Sequence, residues 1–333
     1  MSIVEKADEL CRQFALMQPG DTILIACSGG PDSLALLDVL SQLRSSYGIC
    51  LAVCYVHHGI RAAADEEALF VRHEAEKRQC PFVCRYVDVP ALAAQRRLSL
   101  EAVGRTERYR LLREEKRRFQ ASAIAVAHHL DDQAETVLMH MLRGSGLAGL
   151  GSMRPKVGDI IRPLLNVTRA DIEAYIADRH LEPRHDETND SVQFTRNRIR
   201  WELLPALRQY NPSIVSDLNR LSQIAQAEDD CMAHWTEQVY CSQAKRCGKG
   251  VCMEKKFFLT QPLAIQRRLV RRLCSDVTGT ERDIPFHYVE AIRDLVGKGA
   301  GKQFQTGSIT AYTTKQALCV VPSQGIKGWR QRL

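Results

Sequence analysis

Between residues 22 and 129 the chain alternates short, almost wholly apolar runs with longer stretches whose apolar positions recur at helical spacing. The apolar runs 22–27, 49–56, 82–89 and 123–129 predict buried strands, with a fifth over 160–165. The intervening patterns predict helices over 32–45, 65–78, 100–119 and 131–143, with another over 171–179. In the first of these Leu34, Leu37, Val39 and Leu40 are the apolar positions. Residues 3–17 form a further amphipathic helix. Buried strands alternating with helices predict an α/β fold: a doubly wound, mostly parallel sheet of Rossmann-like design, covered on both faces. Beyond about residue 200 the pattern is mainly helical, interrupted by Pro205 and Pro212, and it ends in a small hairpin over 302–322. The expected division is therefore 1–210 for an α/β catalytic domain and 211–333 for a mainly helical substrate-binding domain.

Composition narrows the class. The 333 residues are 45% hydrophobic and 26% charged, with a net charge of +7, a mild excess compatible with an anionic partner. No apolar run reaches the ~18 residues of a membrane span. The first residues carry acids and no apolar signal core, so a cytoplasmic protein is expected. The 12 cysteines include no C-x-x-C pair and no set with zinc spacing, so reduced thiols serving as small apolar residues are expected.

The chemistry gathers where strands end. After the first strand comes Ser28-Gly29-Gly30-Pro31-Asp32-Ser33. Two glycines let the backbone approach a ligand, Pro31 suits the first turn of a helix, and the free N–H groups there attract anions. Ser28 and Ser33 add hydroxyls. Asp32 is out of place beside phosphates unless a cation sits between them, and Mg²⁺ is the economical choice. The G-x-x-x-x-G-K-[S/T] loop is absent. Residues 144–149, GSGLAG, match G-x-G-x-x-G but follow a helix, so they read as a flexible loop rather than a dinucleotide site. After the fourth strand, HHLDDQAET places Asp132 and Glu135 on one helix face. Asp131 suits a cap or dipole partner. His128 lies at the strand end, and His129 is either a site group or a packed histidine. His57, His58 and Arg61 follow the second strand.

The stretch SGGPDS resembles the pyrophosphate loop of the N-type ATP pyrophosphatases. Further stretches, YVHHGIR (55–61), LEAVGRTERYRLL (100–112), AHHLDDQAETVLMHMLRGSGLAGL (127–150), IIRPLL (160–165) and DETNDSVQFTRNRIR (186–200), resemble in order the blocks of the bacterial tRNA(Ile)-lysidine synthetase family. The resemblance is strong over 20–205 and weaker beyond. It implies a C–N ligase that uses ATP and Mg²⁺ to adenylate the wobble cytidine of a CAU-anticodon isoleucine tRNA. Free L-lysine then displaces AMP. It implies Ser28, Gly29, Gly30, Pro31, Asp32 and Ser33 at the phosphates, His57 at adenine, and Asp32 and Asp132 on the metal. Glu135 falls near metal or lysine, and His128 near phosphate or adenylate. Arg105 and Arg108, otherwise a solvated face paired with Glu101, become candidates for neutralising phosphate. Arg196, Asn197, Arg198 and Arg200, interleaved with Phe194, Ile199 and Trp201, suit contacts to tRNA. Family precedent leans to a homodimer. Arg267, Arg268, Arg271 and Arg272 share a helix with the apolar stripe Ile265, Leu269 and Leu273, and read equally as tRNA backbone contacts or plain surface. A tRNA thiolation enzyme of the same loop class is the alternative, but such relatives use cysteine pairs. A small-molecule amide synthetase would need an ammonia source, and a simple tRNA-binding module would not need the phosphate loop with Asp32 and Asp132.

Overall fold

The computed structural model describes residues 1–60, 64–184, 195–280 and 284–323. The chain divides into two compact units, Met1–Gln226 and Ala227–Leu333.

The first unit is built on a six-stranded sheet of β1 (Thr22–Ala26), β2 (Cys50–His57), β3 (Phe82–Tyr86), β4 (Ala123–Ala125), β5 (Lys156–Val157) and β6 (Ile160–Ile161), in the order β3-β2-β1-β4-β6-β5. All neighbours pair in parallel except β5 and β6. The chain adds β2 and β3 on one side of β1, then crosses to add β4 on the other. The strand order thus reverses between β1 and β4, which opens a crevice at their carboxyl ends. Its helices are α1 (Ile3–Gln13), α2 (Pro31–Tyr47), α3 (Ala64–Lys77), α4 (Val89–Arg96), α5 (Leu100–Arg118), α6 (Leu130–Leu142), α7 (Leu147–Leu150), α8 (Arg169–Asp178), α9 (Thr195–Arg198) and α10 (Leu204–Tyr210), with a π-helical turn at Ile199–Leu203 between the last two.

Side-chain alternation explains the two covered faces. Ile23, Ile25, Val53, Tyr55, Ala123 and Ala125 join one core with Ile3, Leu34, Leu37, Val71 and Ile172, from α1, α2, α3 and α8. Leu24, Ala52, Cys54, Ile124 and Val126 point the other way, against Leu112 of α5.

Three expected strands are shorter than their apolar runs. β3 stops at Tyr86 because Asp88 accepts a hydrogen bond from the Ala91 amide (2.9 Å) and, with Pro90, starts α4. The β4 ladder ends at Ala125, so His128 and His129 lie beyond it. β6 holds two residues before Pro163 and a turn. The GSGLAG stretch, expected as a flexible loop, is folded into α7 and secured at its end. Ser222 donates to the Gly151 carbonyl (2.7 Å), and Gln133 bonds the Met153 amide and carbonyl (2.9 Å each).

Helix α11 (Ile214–Gln243) runs through the division between the units. The expected break after residue 210 corresponds to the Asn211–Pro212 interruption before this helix, which ends α10 without ending the first unit.

The second unit has more sheet than its sequence suggests. β7 (Lys245–Cys247), β8 (Gly250–Glu254), β9 (Gln303–Gln305), β10 (Ile309–Thr313) and β11 (Ala317–Pro322) form a five-stranded antiparallel sheet in the order β7-β8-β11-β10-β9. The expected terminal hairpin is β10–β11, here inside a larger sheet. Against it pack α12 (Lys255–Thr260), α13 (Leu263–Thr278) and α14 (Phe286–Leu295), through Phe258, Ile265, Leu269, Leu273, Val289 and Ile292. Cys252 and Cys319, opposite one another on β8 and β11, form a disulfide, so the expectation of reduced thiols fails for this pair. No helix among the described residues is long and apolar enough to cross a membrane.

Candidate active site

At the carboxyl edge of β1 and β4 lies a cavity of about 390 Å³. One wall is the turn between β1 and α2. Gly29 has φ +85°, and a Cβ there would meet Val71 of α3 at 3.2 Å, so the position excludes a side chain by dihedral and by space. Gly30 precedes α2 and Pro31 opens it, with no side chain capping the first turn, so its amides remain available to an anion. The hydroxyl of Ser33 braces the turn. It accepts from the Ser28 amide (3.2 Å), donates to the Gly30 carbonyl (3.0 Å) and lies 3.3 Å from Ser28 Oγ. Ser28, Gly30, Pro31, Asp32 and Ser33 line the cavity; Gly29 does not, and its carbonyl accepts from the Arg184 amide (2.9 Å).

The opposite wall is the start of α6. His129 precedes the helix, and its amide donates to Asp132 Oδ2 (3.1 Å). The His129 ring is 1% exposed and neither nitrogen has a hydrogen-bond partner. Its Nε2 lies 3.5 Å from Asp132 and 3.7 Å from Asp32, and its Nδ1 3.9 Å from Asp131. The histidine is thus both packed and part of the carboxylate group. Burial and the neighbouring Asp132 raise the Asp32 pKa against the pull of His129. For Asp132 burial also opposes charge, but His129, Arg196 and Arg200 outweigh it and bring the pKa down to about 2. A buried carboxylate, Asp132, and a half-buried one, Asp32, converging beside an imidazole without hydrogen-bond partners fit a divalent cation held by one or two carboxylates together with phosphate oxygens. Asp131 serves elsewhere: it accepts from the Arg169 amide (2.8 Å) at the start of α8 and from Arg208 (2.9 Å).

Arg196 and Arg200, on α9 and the π-helical turn, reach back to α6. Arg196 donates to Glu135 and to Asp132, each at 2.7 Å. Arg200 donates to Glu135 at 2.5 Å and to Asp132 at 3.2 Å. Both oxygens of the buried Glu135 are taken, and Glu135 does not line the cavity, whereas Asp132 and Arg200 do. Asn197 is half-buried; Arg198 is exposed and pairs with Glu202 (3.4 Å). Phe194 and residues 185–194 of that block lie outside the described residues, as does Arg61.

Arg105, Arg108 and His128 also line the cavity. Arg105 lies over the Tyr109 ring and makes no ion pair with Glu101. His57 does not line the cavity. It is the last residue of β2, accepts from the Gly59 amide (3.1 Å), approaches Asp65 (3.5 Å) and packs on Tyr86; His58, one residue on, lines the cavity instead. Among the charged lining residues, Glu67, Arg169 and Arg184 went unread in the sequence and stand in no motif, while Trp201, read only as interleaved with the basic run, also lines the cavity.

In the second unit the α13 arginines are engaged. Arg267 donates to Glu290 (2.8 Å), Arg268 to Asp229, Arg271 to the Ile284 carbonyl (2.8 Å) and Arg272 to Glu237 (2.9 Å).

A glycine-hydroxyl turn entering a helix at the point of strand reversal, faced by acidic groups from the next crossover, defines a PP-loop protein. The model of the PP-loop domain matches residues 2–207, and the chain belongs to that family. Within it, the chain is 36% identical over 298 residues to the tRNA(Ile)-lysidine synthase of Caldanaerobacter subterraneus, covering 89% of this chain and 64% of that protein. It is 37% identical over 300 residues to the protein of that name from Geobacter sulfurreducens, covering 89% and 63%. The chain thus spans somewhat less than two thirds of the length of these relatives. Among solved structures it is similar in fold to the U34-tRNA thiolase NcsA from Methanococcus maripaludis, with TM-score 0.55 and 17% identity over 67% of this chain and 78% of that one.

Proposed function

We propose that the chain is a tRNA(Ile)-lysidine synthase, which joins free L-lysine to C2 of the wobble cytidine of a CAU-anticodon isoleucine tRNA while ATP is split to AMP and pyrophosphate. The observation that carries this reading is the convergence, in one cavity, of the uncapped start of α2, the carboxylates Asp32 and Asp132, and the cations Arg105, Arg108 and Arg200.

In this reading the β1–α2 turn and the first amides of α2 receive the phosphates, and Gly29 lets the backbone approach them. Asp32 and Asp132 would hold Mg²⁺, which when bound would supply positive charge to neutralise the phosphates. Arg105 and Arg108 add fixed positive charge on the α5 side of the cavity. Glu135 and Asp132 hold Arg200 at the cavity wall, so the chain needs no rearrangement to present that cation. Alignment of the cytidine O2 with the α-phosphate turns an encounter of two large substrates into a step within one complex. Lysine attacks through a neutral amine, and desolvation within the cavity favours that form. The cavity's own thiols, Cys27 and Cys54, suit sulfur transfer poorly: burial raises both pKa values, that of Cys54 to about 12.

The test incubates purified chain with Mg-ATP, labelled lysine and isoleucine tRNA, then digests the tRNA and weighs its nucleosides. A lysine-sized gain on the wobble cytidine, matched by AMP release that depends on both lysine and tRNA, is the expected result. No such nucleoside with intact tRNA, or sulfur incorporation in its place, overturns the reading.

A further inference from the structure

We infer that Arg162 is a positioning residue that fixes His128 as its Nε2–H tautomer, so that the imidazole meets the cavity as a hydrogen-bond donor and not as a proton acceptor. The inference rests on reading the cavity as the nucleotide site only for what His128 donates to; the tautomer itself rests on geometry.

His128 follows β4 and lines the cavity. Its Nδ1 lies 3.2 Å from Arg162 Nε, just beyond β6 on the neighbouring strand. A guanidinium has five N–H donors and no acceptor, so Nδ1 supplies the lone pair. A neutral imidazole carries one proton, which must then sit on Nε2. Among the described residues Nε2 makes no hydrogen bond, so it remains available to a ligand.

Arg162 is built for this contact. It is 8% exposed, and no carboxylate among the described residues pairs with it. Its other bond, from Nη1 to the Arg154 carbonyl (2.8 Å), and its own amide on the Pro155 carbonyl (2.8 Å) fix it against the β5–β6 hairpin. A buried arginine without an acid is costly unless its hydrogen bonds have a purpose. A second proton on His128 would face the Arg162 N–H directly. Consistently, burial together with Arg162, Arg196 and Arg105 pushes the His128 pKa down to about 3, although Asp132 draws it up. The ring therefore stays neutral, and its proton points where an oxygen of phosphate or adenylate would accumulate charge.

The test labels the histidines of the full chain with ¹⁵N and assigns His128 by its loss in His128→Gln. The expected spectrum of the ligand-free protein has the proton on Nε2. Arg162→Met should release the lock and give a mixture of tautomers, while Arg162→Lys, which keeps a cationic donor, should preserve it. Protonation on Nδ1 in the unmodified chain, or an unchanged signature in a folded Arg162→Met, overturns the inference. For the donor role, His128→Ala should lower lysidine formation about a hundredfold. His128→Gln, with an amide N–H near the place of Nε2, should recover to within about tenfold of the unmodified chain, and Arg162→Met should then cost little more in that background. Gln as inactive as Ala would make His128 a base and sink the donor role. The expected spectrum with no lysidine formed by the unmodified chain would leave the lock standing and overturn the proposed activity instead.

Discussion

Arg196 and Arg200 on one side, and Arg267, Arg268, Arg271 and Arg272 on the other, look alike along the chain: arginines at helical spacing beside an apolar stripe. In the folded protein both sets meet acids, yet under different conditions. Arg196 and Arg200 share two carboxylates, Asp132 and Glu135, that are almost wholly buried beside the cavity. Of the α13 set, Arg267 and Arg272 pair with the partly exposed Glu290 and Glu237, where water and salt screen the charges. A basic run therefore announces neither its partner nor its worth. The first set is a cation fixture of the site; the second ties helices of its own unit together, and its engagement weakens the case for a free phosphate-binding stripe.

The contrast can be broken from its strongest side first. Asp32→Asn should reduce lysidine formation by about a thousandfold or more while the circular dichroism spectrum is retained, since it removes a proposed metal carboxylate. Near-normal turnover would remove that role. Glu135→Gln should leave Arg196 and Arg200 short of a buried counter-charge and cost about 3–5 kcal/mol in urea unfolding. Glu290→Gln should barely move the same midpoint, and equal losses would abolish the distinction between the two sets. Next in size, Asp131→Ala should cost about 1 kcal/mol in the same urea unfolding by removing the acceptor at the start of α8. The pH dependence follows from Asp132. Its folded pKa lies below the unfolded value of about 3.9, so its contribution to stability is complete above that pH and is lost as pH falls toward about 2. Acid titration of unfolding should show this loss, and Asp132→Asn should remove it. The smallest effect is salt: 0.5 M NaCl should weaken the Arg272–Glu237 coupling in a double-mutant cycle and leave Arg196–Glu135 nearly unchanged.

Much of the first unit is legible in its sequence because parallel strands buried on both faces write continuous apolar runs, and these locate β1 to β4 and the turn at residues 28–33. Ladder ends are harder to see. The run 82–89 remains apolar past Tyr86, and only Asp88 and Pro90 signal that a helix has begun. β7 and β8 form a short hairpin of their own, yet went unread because their runs hold only three and five residues, and β8 is built into the larger sheet by β11, more than sixty residues away. The Cys252–Cys319 bond was hidden by the same separation. In the site, the spacing of Asp132 and Glu135 correctly placed them on one helix side, but not the arginines that occupy them, which come from some sixty positions later. Arg162 stood within a quoted block, where nothing around it distinguished a buried residue contacting a histidine from an ordinary surface arginine.

Helix α11 has a practical consequence for anyone wishing to dissect this protein. Val215 and Leu218, near its beginning, belong to a core with Leu130, Val137 and Leu204 in the first unit. Val239 and Tyr240, near its end, belong to the core of the second. Each core thus draws residues from this one helix. Truncation at residue 226 severs it in mid-course and leaves a fraying stump, while truncation after residue 243 carries an orphaned greasy surface into solution. An expression plasmid for either half should therefore include redesigned polar residues along the surplus helix, since each core draws on part of it.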